Sequence, residues 1–382
     1  MNDKRTGTEI LHVAKYPPGR GGMDFIQQLH ADVGEPCLAL LHRNSLSMNR
    51  SSWGLELDFS PAVPLAWLGW RANRIFAEHE SGIELFYNCW GADLVARPRS
   101  GVLRVGYLHS DFPRFADYIR HFSGWLDGFL AVSQAMASRA RLFTERPVDV
   151  VACALQWQPS AEPRFHGGTR ELVLGYSGRV AFAQKRLDRL PDFLARLDTS
   201  GLSYRFEILG DGPDTTELMR RVGHHPCLVW HGWKSPSEMA TIMAGWRHAI
   251  FFSDYEGLSL ALLEAIGAGV LPLYPRFGEG DFVGLAAEYC HYPQGDLDAL
   301  VELLRRSEEI DETGLNTIRL ELWRLLENRS PASYIQALQC WADKARAEWR
   351  PRIGSFGAPL CSRATGLVGT YNRAYRRLTL GD

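Results

Sequence analysis

The sequence lacks several features that would assign a protein to a functional class at once. Its 42 Lys and Arg residues and 44 Asp and Glu residues leave a formal net charge of -2, so no strong charge of either sign marks it as a nucleic-acid binder. Its seven cysteines include no Cys-x-x-Cys pair, which indicates neither a disulfide framework nor a zinc site. We therefore expect reduced cysteines that mostly pack, no metal, and no nucleic-acid partner.

Long apolar runs are also scarce. The longest, residues 258–274, carries Glu264 at its middle and Pro272 near its end, so it is too short and too interrupted to span a bilayer. Lys4 and Arg5 precede polar residues rather than the apolar stretch of a secretory signal. The expected location is cytoplasmic, with peripheral contact at the inner face of the membrane left open.

The length of 382 residues predicts two domains, because single hydrophobic cores rarely grow beyond roughly 250 to 300 residues. We predict an N-terminal Rossmann-like domain over residues 1–157, a linker rich in Pro and Gly over 158–169, a second Rossmann-like domain over 170–345 and a C-terminal crossover segment over 346–382.

Strand and helix patterns alternate along both halves of the chain, which is typical of parallel sheets covered by helices on both faces. The predicted fold class is therefore α/β, with two facing doubly wound domains. The predicted strands are residues 10–14, 37–41, 84–87, 103–109, 129–132, 172–176, 204–209, 228–230, 249–252, 270–274 and 288–292.

The main candidate functional pattern of the second half is one loop and the helix that follows it. Gly257 lets the backbone approach a ligand closely, and Ser259 can N-cap a helix that Gly269 closes. Glu256 and Glu264 would then face one crevice, where the helix N-terminus offers N–H groups and a positive dipole end to an anion. A ligand with hydroxyls at both ends and phosphates between them fits this arrangement. A solvated loop carboxylate beside a capped amphipathic helix is the alternative.

The same stretch reads Ser-x-x-Glu-Gly-x-Ser-x-x-x-Leu-Glu-Ala-x-x-x-Gly. It resembles the donor-site signature of retaining glycosyltransferases of the GT-B fold, and of family 4 (glycosyl transferases group 1) in particular. The resemblance implies that Glu256 contacts hydroxyls of the donor sugar and that Glu264 holds the ribose. It also implies that the diphosphate meets the amides of Gly257, Leu258 and Ser259.

Further positions of the second half fit the resemblance. Arg179 follows a Ser-Gly pair and Lys185 comes six residues later, a spacing at which the family clamps the donor diphosphate. Two solvated cations are the alternative, although a helix start is a poor place for a lysine because of the dipole. The turn that holds Gly210 and Gly212, and the strand end at His231, resemble the family's base-binding loops.

The N-terminal half offers two candidate positions. Gly21 and Gly22 lie between the first strand and the first helix, where glycines serve close approach to a phosphate, and the family has a Gly-Gly pair there at the border of donor and acceptor. His109 lies at the carboxyl end of a predicted strand, and ligands of parallel sheets bind beyond the carboxyl ends of strands. The family commonly carries a histidine there that faces the donor sugar, whereas a structural histidine is the alternative.

Three segments bear on the limits of the resemblance. An Asn-Gly-Val-Asp-like turn expected after the first domain is absent from residues 152–159. Asp296 and Asp298 form an Asp-x-Asp pattern after Gly295, but the head of an amphipathic helix predicts an N-cap rather than a metal ligand. The tail from Arg350 onward is basic and aromatic, which suits either a crossover onto the first domain or a membrane surface.

Together these patterns predict a retaining glycosyltransferase without a cofactor, with Glu256, His109, Arg179 and Lys185 as its catalytic residues. The donor would be a UDP- or GDP-sugar and the acceptor a glycan or lipid-linked molecule, in the synthesis of cell-envelope polysaccharide or glycolipid. An epimerase or a phosphorylase on the same fold, and a non-catalytic sugar-nucleotide-binding protein, are the alternatives. A phosphorylase would need pyridoxal phosphate.

Overall fold

A computed structural model of the chain describes residues 9–15, 22–43, 47–51, 54–59, 62–79, 81–94, 99–155, 172–276, 287–351, 373–375 and 377. The chain divides into two compact units. The first combines Met1–Ala154 with Pro331–Asp382, and the second is Leu155–Ser330.

The first unit contains an eight-stranded sheet with strand order β3-β4-β2-β1-β5-β6-β7-β8. Neighbouring strands run parallel except for the antiparallel pair β3 and β4. The elements of the first 154 residues are β1 (Ile10–Ala14), α1 (Gly22–Asp32), β2 (Cys37–Arg43), β3 (Ser47–Ser51), β4 (Gly54–Phe59), α2 (Leu65–Ala77), β5 (Ile83–Tyr87), β6 (Leu103–Leu108), α3 (Phe115–Ser123), β7 (Gly128–Ala131), α4 (Gln134–Arg141) and β8 (Val148–Val150).

The second unit contains a six-stranded, parallel sheet with strand order β11-β10-β9-β12-β13-β14. Single 3-10 turns, Leu187–Arg189 and Arg324–Leu326, accompany its helices. The elements that follow residue 171 are β9 (Leu172–Ser177), α5 (Leu190–Thr199), β10 (Tyr204–Leu209), α6 (Thr215–Val222), β11 (Leu228–Gly232), α7 (Pro236–Met243), β12 (His248–Ile250), α8 (Leu260–Gly267), β13 (Leu271–Arg276), α9 (Ala287–Cys290), β14 (His291–Pro293), α10 (Leu297–Glu308), α11 (Glu312–Trp323) and, back in the first unit, α12 (Pro331–Glu348).

Strand β9 shows why the second sheet is covered on both faces. All six of its residues are buried, as in parallel sheets that helices cover from both sides. One apolar cluster contains Leu190 and Phe193 of α5, and a separate cluster contains Leu262 and Leu263 of α8. Each unit therefore has the doubly wound α/β architecture that the alternating patterns predict, and the predicted fold class is confirmed.

Helix caps agree with the residue patterns that predict them. The Ser259 hydroxyl accepts a hydrogen bond from the Leu262 amide at the head of α8. The Asp296 carboxylate caps α10 in the same way through the Ala299 amide, at 2.9 Å. The Asp-x-Asp pattern at this position is therefore a helix start, as predicted.

Several predicted boundaries are wrong. The strand predicted over residues 288–292 is largely helix α9, and β14 covers only His291–Pro293. The strand predicted over 249–252 is observed as His248–Ile250. The two residues that follow it, Phe251 and Phe252, are buried but lie outside the strand. The hairpin of β3 and β4 was not predicted, although β4 alternates apolar and polar residues as a half-buried strand does.

The predicted domain boundary at residue 345 is also wrong, because α12 packs in the first unit and the return crossing lies at residues 330 and 331. The Tyr334 hydroxyl lies 2.9 Å from Nε2 of His30. Gly128 leaves room for the ring of Trp349, since a Cβ there would lie 2.3 Å from it. The predicted linker, 158–169, lies outside the described residues.

The contact between Gly128 and Trp349 predicts a measurable cost of a single methyl group. Gly128→Ala would force the indole aside and should destabilise the protein by about 1 to 3 kcal/mol, the usual cost of overpacking. Thermal unfolding measures the loss. Gly124→Ala is the matched control, because the nearest atom to a Cβ there is the His121 carbonyl oxygen at 3.3 Å. Equal melting temperatures for the two variants would contradict the packing described.

Candidate functional site

The candidate site lies in the second unit, where four neighbouring parallel strands end. The chain passes from β9 outward through β10 to β11, and then returns to β12 on the other side of β9. The order therefore reverses between β9 and β12, and ligands of open α/β sheets bind at such a switch point, beyond the carboxyl ends of the strands. The predicted donor residues of this half follow these strand ends.

Glycines bring the loops after β9 and β10 into backbone contact. The Gly178 amide donates to the Leu209 carbonyl at 3.0 Å, and the Gly210 amide donates to the Gly232 carbonyl at 2.9 Å. A Cβ on Gly210 would lie 1.9 Å from the Gly178 carbonyl oxygen. A Cβ on Gly212 would be 2.1 Å from the Val180 carbonyl oxygen. Both glycines thus have a packing reason, while their role in base binding stays a prediction.

Glu256 and Lys185 meet although they lie 71 residues apart in the sequence. Nζ of Lys185 donates to Oε1 of Glu256 at 2.5 Å, and the exposed fractions of these side chains are 16% and 9%. The Ser253 hydroxyl donates to the same oxygen at 2.8 Å. The Gln184 amide reaches the other oxygen at 3.3 Å. The site therefore presents a largely buried cation and a largely buried anion side by side.

Asp254 fixes the loop that carries Glu256. Its carboxylate accepts from Arg186 at 2.6 Å and from Arg189 at 2.8 Å, and its amide donates to the Gln184 carbonyl at 3.0 Å. Burial raises the pKa of Asp254, but hydrogen bonds from Arg186, Gln294 and Arg189 outweigh it and leave the pKa below its usual range. Sequence reasoning missed this clamp, because nothing local distinguishes these residues from surface charges.

Arg179 lies at the edge of the same network. Its guanidinium is exposed and donates to Oε1 of Gln184 at 3.1 Å. Its backbone is fixed by the Tyr176 hydroxyl, which donates to the Arg179 carbonyl at 2.8 Å. The structure thus joins Arg179 to Glu256 through Gln184 and leaves its charge open to an anion.

Glu264 lies on α8, about one and a half turns beyond the Ser259 cap. It is 8% exposed, and among the described residues no donor reaches its carboxylate. Burial raises the pKa of Glu264 to about 7, and the nearby Lys185 opposes this shift. Its free acceptor oxygens suit a pair of ligand hydroxyls.

His231 does not join the Glu256 cluster. Its Nε2 lies 3.0 Å from Oε2 of Glu207, and the Trp246 indole donates to the same oxygen at 3.0 Å. Arg205 donates to the other oxygen of Glu207 at 2.9 Å. These contacts give His231 a structural role, and its contact with a base stays a prediction.

In the first unit, His109 follows β6 and is held in place by its own backbone. Its amide donates to Oδ1 of Asn88 at 2.8 Å, and its ring packs on those of Tyr87 and Tyr107, with centroids at 5.3 and 4.2 Å. Burial, followed by the charge of His30, lowers the pKa of His109 to about 3. Its Nε2 is buried without a hydrogen-bond partner in the described part of the chain. The ring is thus a neutral imidazole with one nitrogen available.

The Gly-Gly pair of the first unit is only partly described. Gly22 is the first residue of α1, whereas Gly21 lies outside the described residues. Gly22 therefore lies at a helix N-terminus, as predicted from the sequence. Its contact with a ligand stays a prediction.

A buried polar cluster in the first unit was not predicted at all. His12 and His30 both reach Oε2 of Glu35, at 2.9 and 2.5 Å, and their other ring nitrogens meet the hydroxyls of Tyr87 and Tyr334, at 3.0 and 2.9 Å. Two imidazoles and a carboxylate are donors that a transition metal accepts, but hydrogen bonds already account for each of these contacts. The separations of 75 residues from His12 to Tyr87 and of 304 residues from His30 to Tyr334 hide this network from any local pattern.

Comparison with known proteins agrees with this geometry. Residues 171–307, most of the second unit, match the family described as glycosyl transferases group 1. No curated protein matches the chain in sequence.

Solved structures share the fold over most of the chain. The apo form of the lipopolysaccharide outer core galactosyltransferase WaaB has a TM-score of 0.62 and 19% identity, over 86% of this chain and 99% of that one. Sucrose-phosphate synthase from Thermosynechococcus elongatus has a TM-score of 0.68 and 14% identity, over 89% and 100%. HepE from Anabaena, in complex with UDP, has a TM-score of 0.63 and 15% identity, over 86% and 98%. The chain has the GT-B fold, and the resemblance to group 1 glycosyltransferases is confirmed.

The elevated pKa of Glu264 predicts a pH-dependent stability. Because the folded state raises this pKa from 4.5 to about 7, the folded protein binds the proton more tightly than the unfolded chain. The resulting stabilisation is complete below about pH 4.5 and is lost as the pH rises to about 7, a change of about 3 kcal/mol. Glu264→Gln should lack this stabilisation. Between pH 4.5 and 8 the free energy of unfolding of the wild type should therefore fall by about 3 kcal/mol relative to that of Glu264→Gln. Denaturant unfolding at both pH values measures this, with the exposed Glu302→Gln as control, and parallel curves for wild type and Glu264→Gln would contradict it.

Proposed function

We propose that this protein is a retaining glycosyltransferase of the family 4 type, which moves a sugar from a nucleotide diphosphate sugar to a hydroxyl of an acceptor. The pairing of Lys185 with Glu256 at the head of α8 carries this proposal. One face of the pair offers a cation for phosphate, and the other a carboxylate for sugar hydroxyls. Glu264 lies farther along the same helix.

The donor would lie across the ends of β9 and β12. Its diphosphate would meet Lys185, the exposed guanidinium of Arg179 and the backbone amides of residues 257–259 at the N-terminus of α8, where the helix dipole favours anions. The sugar hydroxyls would face Glu256. The ribose hydroxyls would face Glu264, whose carboxylate accepts two hydrogen bonds when ionised.

The chemical step would proceed on one face of the sugar. A double displacement needs a free carboxylate nucleophile, whereas Oε1 of Glu256 already accepts hydrogen bonds from Lys185 and Ser253. We therefore assign Glu256 to holding the sugar. The bond from the anomeric carbon to the diphosphate oxygen breaks, the acceptor oxygen bonds to that carbon on the same face, and its proton passes to the departing diphosphate.

Fixed positive charge would supply most of the catalysis. The diphosphate gains negative charge as it leaves, and preorganised groups that stabilise such charge lower the barrier most. Lys185, Arg179 and the α8 dipole would do this here. His109, a neutral imidazole with its Nε2 available, would donate to or accept from a hydroxyl of the sugar.

The finer assignments rest on the named neighbours and on the sequence. HepE binds UDP in its structure, and WaaB is named for transfer to the lipopolysaccharide outer core. They support a UDP-sugar donor, with a GDP-sugar as the other candidate, and a glycan or lipid-linked acceptor in cell-envelope polysaccharide or glycolipid synthesis. We propose that this reaction takes place in the cytoplasm.

Replacement of Lys185 tests the proposed clamp. Lys185→Ala should lower kcat by about a hundredfold or more, as loss of one preorganised charge-stabilising group does, while activity of the wild type should survive excess EDTA. Release of nucleoside diphosphate from a set of nucleotide sugars and acceptors measures both. Lys344→Ala, at an exposed ion pair on α12, is the matched control.

The opposite pattern would reject the clamp. An enzyme that loses activity in EDTA, recovers it with manganese and tolerates Lys185→Ala would neutralise the leaving group with a metal instead. Conversion of the donor without any acceptor would identify an epimerase.

A second test addresses the nucleotide. If Glu264 accepts both ribose hydroxyls, the affinity for the free nucleoside diphosphate should rise between pH 6 and pH 8, because this carboxyl group ionises near pH 7. Glu264→Gln should bind more weakly and lose that part of the pH dependence, since an amide has only one acceptor oxygen. Titration calorimetry measures the affinity of both proteins at each pH. The ionisation of the ligand's phosphate affects both proteins equally, so it cancels in the difference between them. Identical affinities at all pH values would remove Glu264 from the site.

A further inference from the structure

The turn that follows β5 has a backbone conformation that residues with a side chain usually avoid. Asn88 and Cys89 both have positive φ angles, 45° and 51°. Asparagine tolerates this left-handed region, whereas cysteine rarely occupies it, because its Cβ comes too close to the following carbonyl oxygen. Such conformations persist only where the surrounding structure fixes them, and they cluster at functional sites. The contacts that hold this turn therefore show which part of the fold it serves.

Asn88 connects the ends of β5 and β6. Its amide donates to the Tyr107 carbonyl at 2.7 Å, and its Oδ1 accepts from the His109 amide at 2.8 Å. The Nδ1 atom of the His109 ring lies 3.7 Å from Sγ of Cys153, so Nε2 is the nitrogen open to a ligand. The orientation of this imidazole therefore depends on the side chain of Asn88.

The C-terminal tail reaches the same turn. The sequence leaves two uses open for this basic, aromatic segment, a crossover onto the first domain or a membrane surface. Among the described residues, no helix is long and apolar enough to cross a membrane. Tyr375 is 8% exposed, and its hydroxyl donates to the Asn88 carbonyl at 2.7 Å. Its ring meets that of Trp90 edge to face, with centroids 4.3 Å apart. At Tyr375 the tail thus packs on the first unit.

Two tyrosine hydroxyls share the Asn88 carbonyl. Tyr118 of α3 donates to the same oxygen as Tyr375, and a carbonyl oxygen has two lone pairs, so both are used. Burial raises the pKa of both tyrosines, which keeps the hydroxyls protonated as donors. Tyr118 alone would satisfy the carbonyl. The second donor fixes the direction of the peptide plane between the two left-handed residues.

We propose that Tyr375 is a positioning residue for His109. It holds the peptide that follows Asn88, the Asn88 side chain holds the backbone of His109, and the open Nε2 keeps the orientation that contact with the donor sugar requires. The C-terminal segment thus completes the part of the site that the first unit contributes. The role of His109 in this inference rests on the proposed function, whereas the contacts that fix its ring do not.

Titration of His109 tests the positioning without any substrate. NMR of isotope-labelled histidine side chains follows its ring, whose signal is identified by its absence from His109→Gln. In the wild type this signal should stay constant from about pH 8 to about pH 5, because burial lowers the pKa of His109 to about 3. Tyr375→Phe keeps the aromatic ring and removes the hydroxyl. The turn should then relax and admit water, and the pKa of His109 should rise towards 6.5.

Kinetics supply the second measurement. Tyr375→Phe should lower kcat of sugar transfer about tenfold or more, because a small misplacement of a catalytic group is costly. Its affinity for free UDP, measured by calorimetry, should equal that of the wild type, since the proposed nucleotide contacts belong to the second unit. A chain that transfers no sugar from any donor would refute the proposed function, and the titration of His109 would still decide the role of Tyr375.

Two further variants separate positioning from general stability. Tyr204→Phe is the matched control, because it removes a buried tyrosine hydroxyl of the second unit that donates to Asp198 at 2.7 Å. It should leave the pKa of His109 and kcat unchanged. Asn88→Gly removes the side chain that holds His109, while glycine accepts the left-handed conformation. In that background Tyr375→Phe should have almost no further effect, since both changes interrupt one path.

Three outcomes would overturn the inference. Tyr375→Phe could keep the wild-type pKa of His109 and the wild-type kcat. Tyr204→Phe could change both quantities as much as Tyr375→Phe does, which would make the effect one of stability. The effects of Asn88→Gly and Tyr375→Phe could add in full, which would show that Tyr375 does not act through Asn88. Circular dichroism and the melting temperature confirm that each variant compared is folded.

Discussion

A carboxylate withdrawn from water requires a partner, and the arrangement of the second unit follows from how Glu256 obtains one. Lys185 reaches it from the loop after β9, and Ser253 reaches it from its own loop after β12. Strands β9 and β12 are neighbours in the sheet although two strands separate them in the sequence. The strand order, rather than any sequence pattern, therefore creates the meeting of opposite charges on which the site is built.

The groups around this charge pair hold it in one geometry, unlike an ordinary surface ion pair. Asp254 binds Arg186 and Arg189 and so fixes both loops, while the close contact of Gly178 with Gly210 leaves no room for a side chain. Exposed ion pairs contribute little because their side chains are mobile. Here the ordering has already occurred in the fold, so a bound diphosphate would meet groups whose entropy has been lost in advance.

The features that could be predicted from the sequence are those fixed by interactions between residues close together in the chain. Strands β1 and β10 and the caps Ser259 and Asp296 were predictable, because short apolar strand patterns and helix capping act within a few residues. The roles of Gln184 and Asp254 were not, since their partners lie some 70 residues away and their own neighbourhoods look like any polar loop. His12, His30 and Glu35 escaped for the same reason, as their network ends at Tyr334. The domain boundary failed because only tertiary packing assigns α12 to the first unit.

The placement of α12 has a consequence for the order in which the protein can fold. The chain leaves the first unit after residue 154 and returns to it at residue 331, and the Leu155 amide bonds to the Arg329 carbonyl at 2.8 Å between the two crossings. The second unit is thus an insertion within the first. During synthesis the ribosome completes the whole insertion before it adds Tyr334 and Trp349, which the first unit needs for its own packing. The first unit can therefore complete its packing only after the whole second unit has been synthesised, whereas N-terminal domains usually fold first.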